Sequence, residues 1–248
     1  MTLRDFHIHT SFCDGHDTPE EMVQSAVEKG LKQVGILCHS YVPFDNCCIP
    51  LERVDEFKTE VARLKEKYRG QIDVFCGIEA DIYSPQSLDG FDYVIGSVHY
   101  LKHGEKYIAI DDTPQILEDM IDRYYGGDFY ACAEDYFATV AKLVQRKPDI
   151  IGHFDLIKKF SRKIPFDAEN ARYKAAWQSA ADALLTLDVP FEVNTGGMSR
   201  GYLDEAYPSH EIAEYIKKRG GSLIISSDAH RKEDIAFGFD SVYLQDSE

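Results

Sequence analysis

The chain has 248 residues, a length that suits one large α/β domain, and its 44% hydrophobic and 28% charged residues are ordinary for a soluble globular protein. A net charge of −16, from 27 Lys+Arg against 43 Asp+Glu, argues against a nucleic-acid partner, which calls for a basic face. No apolar run approaches the ~20 residues that span a bilayer, and no basic-then-apolar opening marks a signal peptide, so a single cytoplasmic domain over 1–248 without a membrane partner is expected.

Residues 4–10, Arg-Asp-Phe-His-Ile-His-Thr, read as the first strand. His7 and His9 lie two apart, so both side chains leave a strand on the same side, the interior if the strand belongs to a barrel. A loop over 11–17 follows and carries Asp14, Gly15 and His16. The next helix opens on a Thr18 N-cap, with Pro19 at its first position and Glu21 completing a capping box. Met22, Val23, Ala26 and Val27 form its buried stripe, and Gly30 ends it. Residues 34–39 are an apolar strand ending on His39, and the loop 40–50, rich in turn formers and aromatics, is expected to cover a barrel mouth. Val54, Phe57, Val61, Leu64 and Tyr68 mark a helix over 52–69.

Strands follow at 72–79, ending on Glu79, and at 93–99, ending on His99. Helices at 114–125 and 130–146 lead to a strand at 150–153, ending on His153. A helix over 168–187, a strand at 189–194, a helix over 209–219 and a strand at 222–228, ending on Asp228, complete the pattern. Strand then helix, repeated, means parallel strands with helical crossovers. Seven such strands predict a TIM-like barrel one unit short of eight. An open doubly wound sheet is the competing architecture, but it does not bring ligands from nearly every strand to one point, as the C-terminal ends of barrel strands do.

The polar residues at those ends are His7, His9, His39, Glu79, His99, His153, Asn194, Asp228 and His230, with Asp14 and His16 from the first loop. Six of the nine histidines fall at the strand ends, while His103 and His210 read as solvated surface groups. Imidazole with carboxylate suits zinc, manganese or iron. The ligands are too many for one ion, so two or three divalent ions are expected, with Glu79 as the bridge because a carboxylate has two oxygens to share. Glu79 also ends a very apolar run, and a buried carboxylate needs a partner or a metal. The six cysteines, Cys13, Cys38, Cys47, Cys48, Cys76 and Cys132, show no Cys-x-x-Cys pair and read as reduced packing residues; the Cys47-Cys48 pair has no assigned role.

His7-x-His9-Thr10 with Asp14-Gly15, then His39, Gly77-Ile78-Glu79-Ala80-Asp81, Ser97-Val98-His99, Gly152-His153-Phe154-Asp155, Asn194-Thr195-Gly196-Gly197 and Ser227-Asp228-Ala229-His230, resembles the PHP (polymerase and histidinol phosphatase) superfamily in order and spacing along the whole chain. Within it, the chain looks most like the monofunctional histidinol-phosphate phosphatases. The resemblance implies a distorted (β/α)7 barrel. It implies one ion held by His7, His9, Glu79 and Asp228, a second by Glu79, His99 and His153, and a third by His39, His230 and a residue of the first loop. Asp14 is preferred there over His16, because a carboxylate balances ionic charge better than a neutral imidazole. The implied reaction is hydrolysis of L-histidinol phosphate to L-histidinol and phosphate, in histidine biosynthesis. Glu79, Asp228, His99 and His230 would sit in the catalytic centre and a metal-bridging hydroxide would attack. Lys159 and Arg200 are candidate phosphate contacts, with ordinary surface charge as the alternative reading.

Three rival functions stay open at this stage. One is a phosphoesterase of the same superfamily acting on another small phosphomonoester, a nucleotide or a phosphodiester. A second is a metal-dependent amidohydrolase, disfavoured because Glu79 occupies the place where those barrels commonly carry a carboxylated lysine. A third is a metal-storage or purely structural module, disfavoured by so many ligands at a barrel mouth.

Overall fold

The computed structural model describes residues 3–242. Its elements in chain order are β1 (Arg4–Ile8), α1 (Pro19–Glu28), β2 (Gln33–Ile36), α2 (Val54–Lys67), β3 (Asp73–Asp81), β4 (Tyr93–Ser97), β5 (Tyr100–His103), β6 (Lys106–Ala109), α3 (Pro114–Tyr125), α4 (Phe129–Val140), β7 (Ile150–Ile151), α5 (Ala171–Leu185), β8 (Phe191–Asn194), α6 (Gly196–Ser199), α7 (His210–Lys218) and β9 (Leu223–Ser226). Seven strands form one sheet in the order β1-β2-β3-β4-β7-β8-β9, every neighbouring pair parallel. The ends of the sheet meet just beyond β9: the His9 amide donates to the Ala229 carbonyl at 2.9 Å, and the Ala229 amide to the His7 carbonyl at 3.1 Å. The sheet is a (β/α)7 TIM-like barrel nearly closed on itself. Its distortion shows at β7, two residues long and joined to β8 at one register position, Ile151 opposite Phe191.

Local chemistry explains the helix ends. The Thr18 hydroxyl accepts from the Glu21 amide while the Glu21 carboxylate accepts from the Thr18 amide at 2.9 Å, the expected capping box. The Thr113 and Asp128 side chains accept from amides in the first turns of α3 and α4, and Gly126 ends α3 in the left-handed conformation at φ 63°. The expected strands mostly end two or three residues early, at Ile8, Ile36, Ser97, Ile151 and Ser226, and two helices differ from expectation. The helix expected over 130–146 is α4 followed by a 3-10 turn, Ala141–Gln145. The helix expected over 168–187 starts later, at the Asn170 cap. The hairpin β5–β6 and the single turn α6 were not anticipated.

Tyr93 plugs the lower half of the lumen. Its hydroxyl donates to the Phe6 carbonyl at 2.6 Å, and its ring lies where a Cβ on Gly35 or Gly77 would have to go. Phe6 and Phe75 pack beside it with Leu37, Ile95, Ile150 and Ile224. With the floor filled by apolar side chains, the polar groups of the strands gather at the C-terminal end. Outside the barrel, α4 and α5 enclose the buried Tyr136, Phe137, Tyr173 and Trp177. Among the described residues no helix is long and apolar enough to cross a membrane.

Candidate metal centre

The sheet ladder stops two residues before three of the candidate ligands. β4 ends at Ser97 and His99 follows, β7 ends at Ile151 and His153 follows, and β9 ends at Ser226 and Asp228 follows. The strand period of two carries each side chain inward after the ladder has released the backbone. Gly152 sits against Ser97 and Ile95 with no room for a Cβ, which draws His153 close to β4. His39 lies beyond β2 and is held by a parallel bridge to Glu79 on β3. Asp228 takes φ 52°, unusual for a non-glycine residue. Arg200 secures that turn, donating to the Asp228 carbonyl at 3.0 Å and to its Oδ2 at 2.8 Å.

His7 Nε2, His9 Nε2, Glu79 Oε2 and Asp228 Oδ1 converge. His7 Nε2 is 3.1 Å from His9 Nε2, both are 3.3 Å from Glu79 Oε2, and they lie 3.6 and 3.5 Å from Asp228 Oδ1. Ligands about 2.0–2.1 Å from a tetrahedral ion stand about 3.3 Å apart, so these four atoms have the spacing of one coordination shell. Glu79 turns its other oxygen to a second group: Oε1 is 2.8 Å from His153 Nε2 and 3.3 Å from His99 Nε2. A third group surrounds Asp14. Its Oδ2 is 3.2 Å from His230 Nε2 and 3.5 Å from His39 Nε2, and its Oδ1 is 3.6 Å from His9 Nδ1. His39 stands between the groups, with Nδ1 2.9 Å from Glu79 Oε2.

The outer nitrogens fix which way the lone pairs point. His7 Nδ1 is 2.6 Å from Glu192 Oε1 and His99 Nδ1 is 3.4 Å from Asp81 Oδ2, whereas His230 Nδ1 lies between the Asp228 carbonyl at 3.0 Å and the Arg200 guanidinium at 3.1 Å. A ring that gives its Nδ1 proton to an outside oxygen presents an unprotonated Nε2 to the centre, the arrangement of metal-bound histidine. Glu79 Oε2 is buried and faces three imidazole nitrogens, His39 Nδ1 at 2.9 Å and His7 and His9 Nε2 at 3.3 Å. A fully buried carboxylate oxygen among converging lone pairs is stable when a cation sits among them. The donor set therefore fits divalent metal.

The same crowding appears in the titration of the metal-free groups. Burial would raise the Glu79 carboxyl, yet the charges of His7, His39 and His99 hold it well below the usual carboxylate range. Burial and the His39 charge work against a proton on His9, yet hydrogen bonds to Asp228, Cys13 and Glu79 push it up to about 10. Protons on the imidazoles take the place that cations would fill.

The remaining candidates line the cavity of about 470 Å³ above the centre. Asp14 belongs to a ligand group, whereas His16 faces Arg231 at 3.4 Å and joins none among the described residues. Lys159 and Arg200 both face the cavity. The Lys159 ammonium is held by the Asp111 carbonyl at 2.6 Å and carboxylate at 3.1 Å. The Asn194 amide turns away from the ligands: its nitrogen donates to Glu192 Oε2 and its oxygen accepts from the Gly196 amide, both at 2.9 Å. His103 is not a free surface group, since it stacks on Tyr124 with ring centroids 4.2 Å apart.

Glu192 and Asp81 were missed as working residues. Glu192 takes donors from His7, Ser226, Asn194 and the His153 amide. Its signal was a lone carboxylate inside the apolar run 189–193. Asp81 lies two residues after Glu79 on the same strand, so the reasoning that pairs His7 with His9 also pairs these two. Asp111 follows the unanticipated hairpin and gave no signal.

The PHP domain family model matches residues 5–196. A Deinococcus radiodurans protein named "Probable histidinol-phosphatase" is 31% identical over 96% of this chain and 90% of its own. The Listeria monocytogenes HisK crystal structure superposes with a TM-score of 0.85 at 22% identity, covering 96% of this chain and 99% of that one. The Lactococcus lactis histidinol phosphate phosphatase, solved with zinc, L-histidinol and phosphate, gives a TM-score of 0.70 at 21% identity, covering 93% and 87%. The family model runs from β1 through β8, across the strands that bring five of the six converging imidazoles together, and the likeness to the Deinococcus relative extends along nearly the whole length; this chain belongs to the PHP domain family.

Proposed function

We infer that the protein is a metal-dependent phosphoric monoester hydrolase that converts L-histidinol phosphate and water into L-histidinol and phosphate, a step of histidine biosynthesis. The observation that carries this reading is the buried Glu79 carboxylate, which offers one oxygen to His7 and His9 and the other to His99 and His153. The relatives at this length carry the histidinol-phosphatase name, and the Lactococcus protein was solved with both products of that reaction.

We assign His7, His9, Glu79 and Asp228 to one ion, Glu79, His99 and His153 to a second, and Asp14, His39 and His230 to a third. Zinc, manganese or iron suits these donors. Divalent ions bound there supply Lewis acidity toward the phosphate and a nucleophilic water at neutral pH. The protein's own groups do the rest. Glu192 and Asp81 keep the His7 and His99 imidazoles in the tautomer that points Nε2 inward. Arg200 and Lys159 face the cavity where a phosphate would lie and offer it fixed positive charge. Tyr93 and its apolar neighbours close the lumen beneath and exclude water from that side. We read 1–248 as a single domain working in the cytoplasm on a small ester, with no nucleic-acid partner, as the net charge of −16 favours.

Steady-state kinetics on histidinol phosphate, other phosphomonoesters and a phosphodiester test the reading. A preference for histidinol phosphate of less than about tenfold in kcat/KM, ~1.4 kcal/mol of transition-state binding, would overturn the substrate and leave a broader phosphoesterase.

A further inference from the structure

The loop over 40–50 puts Cys47 and Cys48 at the rim of the cavity, and the centre beneath uses neither sulfur. All six cysteines are free thiols. Neighbouring side chains on a strand point to opposite sides, but in this turn the two sulfurs come together, 3.6 Å apart. Two thiolates about 2.3 Å from one tetrahedral cation stand about 3.8 Å apart, so the pair already has nearly the spacing of a chelate.

Its surroundings hold it there. The Cys47 amide donates to Asp45 Oδ1 at 2.9 Å, the Tyr100 hydroxyl donates to Asp45 Oδ2 at 2.8 Å, and that hydroxyl is 3.7 Å from Cys47 Sγ. Phe44 stacks on Tyr107 with centroids 4.1 Å apart and fastens the loop to the β5–β6 hairpin. The Asp45 carboxylate also faces the cavity and adds a negative charge beside the sulfurs. Cys48's sulfur and burial push the Cys47 thiol up, so at neutral pH it is a protonated group rather than an attacking thiolate. A soft cation that displaces the protons turns the same closeness into binding.

We propose that Cys47 and Cys48 form a two-sulfur site at the cavity rim that takes thiophilic ions, zinc- or cadmium-like cations and trivalent arsenicals, separately from the imidazole–carboxylate centre below. With an arsenical the step balances without redox: the arsenic–oxygen bond of phenylarsine oxide is replaced by two arsenic–sulfur bonds, and oxygen leaves as water with the two thiol protons. With cadmium the two protons leave to solvent.

The test uses the metal-loaded full chain. One equivalent of phenylarsine oxide should give one adduct per chain by intact mass, mapped by proteolysis to the peptide holding Cys47 and Cys48. Cadmium should produce a thiolate-to-cadmium absorption band, which imidazole and carboxylate ligands cannot give. Cys47→Ser and Cys48→Ala should each abolish adduct and band, while Cys13→Ser keeps both. Absence of an adduct on the wild-type chain, or its mapping to Cys13 or Cys38, overturns the proposal without recourse to any variant's folding.

Discussion

Replacing Glu192 with glutamine removes one charge and one acceptor from the hub behind the metal ligands. The carboxylate is fully buried and serves four donors: His7 Nδ1 at 2.6 Å, the Ser226 hydroxyl, the His153 amide at 2.9 Å and the Asn194 amide nitrogen at 2.9 Å. Glutamine keeps one carbonyl oxygen and sets an NH₂ where the other stood. If the oxygen faces His7 and Ser226, the NH₂ meets the donors of His153 and Asn194; if it turns, His7 loses its acceptor. Either way at least one donor goes unpaired, since a serine hydroxyl can turn to accept but the ring and backbone N–H groups cannot, and each buried unpaired group costs about 1–3 kcal/mol. The outcome for His7 is a freer tautomer and a less basic Nε2. Loss of such an outer partner weakens metal binding or activity about 10–100-fold, ~1.4–2.7 kcal/mol. Metal retention after dialysis against graded chelator should fall by that factor, and excess metal should restore part of kcat. Thermal unfolding of the loaded variant separates this from misfolding. A folded Glu192→Gln protein with unchanged metal affinity and kcat would refute the bracing role.

Glu79→Gln should stay folded and lose more than about 100-fold in kcat, since an amide cannot give two anionic oxygens to a pair of ions; near-normal turnover with full metal content would remove Glu79 from the bridge. Asp14→Ala should lose one equivalent of metal by elemental analysis and His16→Ala none; the reverse pattern would move the third site to His16. Lys159→Ala and Arg200→Ala should mainly raise KM for phosphate esters, and unchanged kinetics in both would return them to the class of surface charges. Chelation should abolish activity and leave a protein whose stability falls with rising pH. Burial opposes the His9 proton but its partners push it up to about 10 from the ordinary 6.5, so the metal-free fold binds a proton that the unfolded chain has released. That stability is complete below about pH 6.5 and is lost as pH rises through about 10. Denaturant midpoints across this window should slope for the chelated protein and stay flat for the loaded one; parallel profiles would refute the assignment.

Most of the candidate ligand set was legible without coordinates because each candidate closes a locally recognisable segment. His39, Glu79, His99, His153 and Asp228 end apolar runs, and the His7–His9 spacing of two is a strand property in itself. The helix cap at Thr18 is likewise a contact within four residues. Tertiary structure alone decided the rest, because those contacts join residues far apart in sequence. Glu192 meets His7 across 185 positions, and no local pattern encodes that meeting. The sequence favoured Asp14 over His16 on charge; that Asp14 reaches His230 while His16 reaches Arg231 is a property of the folded loop. The β5–β6 hairpin, four residues a side, is too short to show a period, yet it carries Tyr100 to the cavity and leads the chain on to Asp111. Closure of the barrel between His9 and Ala229 is a backbone contact, indifferent to side chains, and so left no mark in the sequence.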